Sequence, residues 1–205
     1  MRKTGSLMGM FIVSICLFAR PGQSQGQANG NHWVSAWSSA MHAPLAFVPG
    51  QAISGLENRT LRMIVRPTIA GERVRIRFSN ACGDQPLPIG AAHIALASED
   101  GRIIAASDRA LTFSGQASTR IPPGAPMLSD PVDLKFPAFA EIAVSIFLPA
   151  KVGSVTYHWA GQKPTYLSGP GDFTASAEIP NPTTNTSWFF LSGLEVLAPG
   201  ATVTI

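Results

Sequence analysis

Glu72-Arg-Val-Arg-Ile-Arg-Phe78 sets arginine at 73, 75 and 77 and an apolar side chain at 74, 76 and 78. Side chains of a strand point alternately to its two faces, so this spacing sends Val74, Ile76 and Phe78 one way and the three arginines the other. The stretch reads as a half-buried β-strand. Similar short segments recur outward from it at 32–37, 60–66, 89–97, 110–113, 119–121, 142–148, 155–159, 188–197 and 201–205. Turn formers separate them, as at Pro49-Gly50, Ala70-Gly71, Asp130-Pro131 and Pro180 to Pro182. With 19 glycines and 17 prolines in 205 residues, long helices have little room. No three-to-four periodicity is sustained from residue 31 on. The expected fold is all-β, a two-sheet antiparallel β-sandwich of jelly-roll type, forming one domain over 29–200.

A hydrophobic content of 45% with 13% charged residues fits an ordinary folded domain and excludes a disordered chain. The net charge of +3 hints at nucleic acid until the charges are located. Arg2, Lys3 and Arg20 lie in the first twenty residues, whereas no acidic residue precedes Glu57. Beyond residue 28 basic and acidic side chains balance, and no basic patch is interleaved with aromatics, so nucleic acid is not an expected partner.

The first 28 residues have the three-part pattern of a secretory signal peptide with a polar tail: basic start, apolar run Leu7 to Ala19, then small polar residues. Thirteen residues fall short of the roughly 20 that span a bilayer, so a stable membrane anchor is not expected. Cleavage at Gly22-Gln23-Ser24 or Gly26-Gln27-Ala28 would release a secreted or periplasmic protein. Cys82 alone would then remain, which leaves no intramolecular disulfide.

Catalytic signals are weak. The one G-x-S-x-G match, Gly22 to Gly26, sits in the polar tail, where the strand and helix that make a nucleophile elbow are missing. The histidines are His32, His42, His93 and His158; none follows an acid by three residues, and no two have metal-ligand spacing. Neither a catalytic residue, a metal nor a cofactor is expected from this pattern. The aromatics offer the other route to function. Trp33, Trp37, Trp159, Trp188 and Tyr157 are residues whose flat faces suit the C–H face of a sugar ring, and core packing uses the same residues. In regular strands Trp33 and Trp37 would share a face, and so would Tyr157 and Trp159. The arginine stripe likewise has two readings, a solvated sheet face or a carboxylate or phosphate site.

Six blocks taken together resemble a known family. They are Trp33-Val-Ser-Ala-Trp37-Ser-Ser-Ala-Met-His42, Asn58 to Arg66, Val74 to Asn80, Pro86 to Ala95, Ile121 to Val132 and Trp188-Phe-Phe-Leu-Ser-Gly193-Leu-Glu-Val. In this order they are similar to the N-terminal β-sandwich region of secreted bacterial SGNH (GDSL-type) esterases. The resemblance implies a sandwich that precedes an α/β hydrolase domain, with 201–205 approaching the first strand of that domain. The family's Gly-Asp-Ser block and its Asp-x-x-His pair have no counterpart in these 205 residues, so no catalytic residue carries over. The expected function is therefore an accessory module of an ester hydrolase, truncated before the nucleophile and inactive alone. The alternative is a free-standing carbohydrate-binding or interaction module. Expected partners are a polysaccharide or acylated glycan and, in full-length relatives, the adjacent hydrolase domain.

Overall fold

The computed structural model describes residues 30–44 and 54–199. The leader, the Pro49-Gly50 turn and segment 201–205 lie outside the described residues. In chain order the strands are β1 (His32–Ser38), β2 (Arg59–Val65), β3 (Gly71–Ser79), β4 (Leu87–Ile89), β5 (Ala91–Leu96), β6 (Arg109–Ala110), β7 (Thr119–Ile121) and β8 (Pro126–Leu128). They continue with β9 (Val132–Phe136), β10 (Ile142–Leu148), β11 (Tyr157–His158), β12 (Thr165–Pro170), β13 (Thr183–Asn185), β14 (Trp188–Phe189) and β15 (Leu191–Ala198). The only helices among the described residues are two single 3₁₀ turns.

The fold is all-β, as the alternation predicts. One sheet has the order β1-β15-β3-β8, with β9 also on β3; the other runs β13-β12-β2-β10-β5-β6. Pairings within both sheets are antiparallel. Strands β1, β2, β3, β5, β9 and β10 fall alternately in the first and second sheet, so the chain crosses the sandwich repeatedly in the jelly-roll manner. The core lies between them. Val74, Ile76 and Phe78 meet Leu61, Met63 and Val65 of β2 and Val144, Ile146 and Leu148 of β10, all fully buried. Their burial from water is the main force holding the sheets face to face.

Strand boundaries differ from expectation where a local residue breaks the ladder. The run 89–97 divides at Gly90, where an added Cβ would lie 2.9 Å from the Phe147 ring. The run 188–197 divides at Phe190, whose φ of 59° turns the chain between β14 and β15. Of 110–113 only Ala110 lies in a strand. Strands β8, β9, β12 and β13 were not foreseen. In β9 the alternation Val132-Asp-Leu-Lys-Phe136 is nonetheless present in the sequence. Strand β12, by contrast, is hidden by Gly169 and Pro170, which match a strand only because β12 shifts register on β2 between Leu167 and Pro170.

The second sheet is covered on its outer side as well. Thr60, Arg62 and Ile64 of β2 point away from the core yet are buried. Ile64, Ala95 and Ala143 form a smaller apolar cluster there with Ile103, from the loop that follows β5. That cover, from the segments near 97–107 and 171–182, creates the polar arrangements described next.

Candidate functional site

The five aromatics do not form one platform. A bulge between Ser35 and Trp37 shifts the register of β1 on β15, so the shared face expected for Trp33 and Trp37 is lost. Trp33 stays on the outer face of the first sheet, with the Arg75 guanidinium 4.3 Å above its ring. Trp37 instead packs edge-on against Trp188, ring centres 4.8 Å apart at 88°. Tyr157 and Trp159 also part company, because β11 ends at His158 and the chain turns. Tyr157 is 1% exposed and stacks on Phe189, whereas Trp159 is 48% exposed.

Tertiary pairing of β11 with β14 brings Trp188, Tyr157 and two histidines to one end of the sandwich. His158 stacks on Trp188 at 5.6 Å and 21°, and His42 leans on Tyr157 at 4.7 Å. The Trp188 indole N–H donates to the Ile64 carbonyl at 3.0 Å, which fixes the ring. His42 Nε2 accepts the Trp159 backbone N–H at 3.2 Å, so its proton sits on Nδ1, which donates to the Ala43 carbonyl at 2.7 Å. His158 Nδ1 lies 2.7 Å from the Ala40 carbonyl, to which it donates. Both imidazoles thus tie the 40–43 segment to β11. Sequence spacing gave no sign of this, since residues 42 and 158, whose rings lie 6.2 Å apart, are brought together by the bridge of His42 to Tyr157.

Ala160 and Gln162, at φ of 55° and 61°, hold left-handed backbone on either side of Gly161. Such geometry costs a non-glycine residue about 1–2 kcal/mol. The turn is held by the Gly161 N–H, which donates to the Thr186 carbonyl at 2.6 Å, and by the packing of Gly161 on the Trp188 ring. Beside it opens a groove of about 510 Å³ lined by Gln162, Lys163, Pro164, Thr184, Asn185 and Thr186.

A histidine–carboxylate pair does exist elsewhere. His93 Nδ1 donates to Asp108, at 2.8 Å to Oδ2 and 3.1 Å to Oδ1. Fifteen residues separate the two, so no short motif could reveal them. Ser145 stands directly opposite His93 in the β5–β10 ladder. Its hydroxyl, however, accepts the Arg62 Nε–H at 2.9 Å, and among the described residues no hydrogen bond joins it to His93. A nucleophile needs its base within hydrogen-bond reach. Ser107, next to Asp108, is also committed: it accepts the Leu96 N–H and donates to the Ile104 carbonyl. The arrangement holds a base and an orienting acid without a serine on the base.

Arg62 is the most unusual residue of this face. It is fully buried, and its guanidinium donates to the carbonyls of Gly101, Phe173 and Ser176 at 3.0, 3.1 and 2.7 Å, with longer contacts to Thr174 and Ala177. Burial lowers its pKa to about 10, with the nearby Asp108 carboxylate acting in the opposite sense. One side chain therefore fastens the two covering segments to β2.

The arginine stripe finds its carboxylate within the chain. Arg75 and Arg77 both grip Glu195 of β15, the former with 2.7 and 2.8 Å contacts. Burial would raise the Glu195 pKa, but hydrogen bonds from the two arginines outweigh it and hold the carboxyl below its ordinary value. Arg73 pairs with exposed Asp133 at 2.8 Å. Among the described residues no group of three or more His, Cys, Asp or Glu side chains could hold a metal ion. No family model matches the chain, and no curated protein matches it.

Proposed function

We propose that this domain is a non-catalytic accessory module of an exported SGNH (GDSL-type) ester hydrolase. What supports the reading is that the six blocks behind the resemblance are the ones the fold knits into a single frame. The first touches the last where Ser39 donates to the Leu191 carbonyl at 2.9 Å. Phe78 of the third pairs with Leu191 on one side and Met127 of the fifth on the other. The Asn80 amide donates to the Ile121 carbonyl at 3.0 Å, and Leu87 of the fourth pairs with the same Ile121. The second lies beside β10, which in turn carries β5 of the fourth. A sequence signature retained for a scaffold is expected to fall on such a frame, whereas one retained for chemistry would converge on a cleft.

Two measurements test this. The coding DNA after the Ile205 codon is expected to contain a Gly-Asp-Ser block, in phase or one frameshift away, and its absence refutes the hydrolase affiliation. The purified chain should turn over p-nitrophenyl acetate no faster than its His93→Ala variant; a loss of turnover on that substitution refutes the non-catalytic reading. A second reading, a carbohydrate-binding module, is favoured by exposed Trp159 near a polar groove whose one lining charge, Lys163, is paired with Glu141.

A further inference from the structure

The groove next to the 159–164 turn has largely neutral polar walls and an exposed tryptophan close to it in the chain. One wall is the turn itself, through Gln162, Lys163 and Pro164; the other is the edge strand β13 and its continuation, Thr184, Asn185 and Thr186. The Gly161 N–H to Thr186 carbonyl bond joins the two walls. Lys163, the one charged residue in the lining, is paired with Glu141, just before β10. What remains for a ligand is neutral. Asn185 spends its side-chain oxygen on the Ser187 N–H at 2.7 Å, which leaves its amide N–H groups to donate. Gln162 spends one amide N–H on the Ala160 carbonyl at 3.2 Å and keeps its oxygen as an acceptor. Thr184 and Thr186 are exposed and add hydroxyls.

Trp159 begins the same turn and is the one tryptophan of the four that is exposed, the others being half-buried. Its backbone N–H is fixed by His42, so the ring is presented from a rigid base. An exposed apolar ring three residues before a groove of amides and hydroxyls without free charge suits a sugar, which offers an axial C–H face to a ring and vicinal hydroxyls to amides. An anionic polymer would find no unpaired cation there, and a purely apolar ligand would strand the amides.

We propose that this groove binds a neutral glycan chain, with Trp159 as its stacking platform and Gln162 and Asn185 as its hydroxyl-reading groups. The inference deepens the carbohydrate-binding reading above and does not rest on the hydrolase affiliation, which the downstream DNA tests separately. The test titrates the full chain with the hexaoses of β-1,4-xylan, β-1,4-glucan and β-1,4-mannan, with polygalacturonate as the charged comparison. Tryptophan emission and calorimetry provide the readouts. At least one neutral hexaose is expected to give a saturable emission shift that is insensitive to salt. Trp159→Ala should weaken that binding at least tenfold with the thermal midpoint little changed, and Asn185→Asp, which keeps the oxygen that accepts the Ser187 N–H but loses the amide donors, should weaken it several-fold. The proposal is overturned if none of the three hexaoses saturates, if Trp159→Ala binds as well as the parent, or if only polygalacturonate binds.

Discussion

Replacing Arg62 by methionine removes a buried charge and the guanidinium donors that help hold the outer cover of the second sheet. Four acceptors lie at 3.1 Å or closer to its nitrogens: the Ser145 hydroxyl and the carbonyls of Gly101, Phe173 and Ser176. A buried acceptor left without a donor costs about 1–3 kcal/mol; two of the four, the Ser145 hydroxyl and the Gly101 carbonyl, are fully buried, so the gross loss is at least about 2–6 kcal/mol. Against this, methionine avoids the several kcal/mol that burying a charge costs. The net expectation is a loss of about 3–5 kcal/mol, the range seen when one member of a buried charged network is removed. For a domain of this size that corresponds to a drop in thermal midpoint on the order of 10 °C. Urea denaturation gives the free energy, and amide exchange should show faster opening confined to segments 97–107 and 171–182. Arg62→Lys restores a charge but not the flat fork of donors, and should recover less than half of the loss. A methionine variant within about 1 kcal/mol of the parent, or one with unchanged exchange in both segments, would mean that the cover is held by its apolar contacts instead.

Other perturbations follow from the same geometry. Gly161→Ala would set a methyl 2.8 Å from the Trp188 ring and should cost about 1–3 kcal/mol by urea denaturation; a neutral result would show that the turn can lift away. Gly101→Ala is expected to be worse, since φ is +71° and the new Cβ would lie 2.3 Å from the Tyr166 ring; a stability equal to that of Gly161→Ala would contradict the rigid cover. Glu195 has a folded pKa below its unfolded one, so the unfolded chain takes up the proton first. Its contribution is therefore complete above the ordinary carboxylate range and fades as pH falls through the folded value. Stability between pH 7 and 3 should fall more steeply for the parent than for Glu195→Gln, by up to about one proton, and equal slopes would exclude the role.

The period-two pattern of the sequence was enough to place β3, β7 and β10 almost to the residue, and with them an all-β sandwich. The pattern is plainest in β3, which buries one face against the other sheet, so that the requirement is written into alternate residues. It was silent wherever a contact joins residues far apart in the chain. His93 meets Asp108, His42 meets Trp159, and Arg62 meets four carbonyls more than 100 residues away, and none of these has a local signature. Trp33 and Trp37 show the opposite failure. Their spacing was legible, but one bulge sent them to different surroundings. Composition and alternation thus determined the class of fold and the faces of its regular strands, because burial of apolar surface is averaged over many residues. Only the tertiary structure decided which polar groups share a site, because a hydrogen bond depends on tenths of an ångström between two particular atoms.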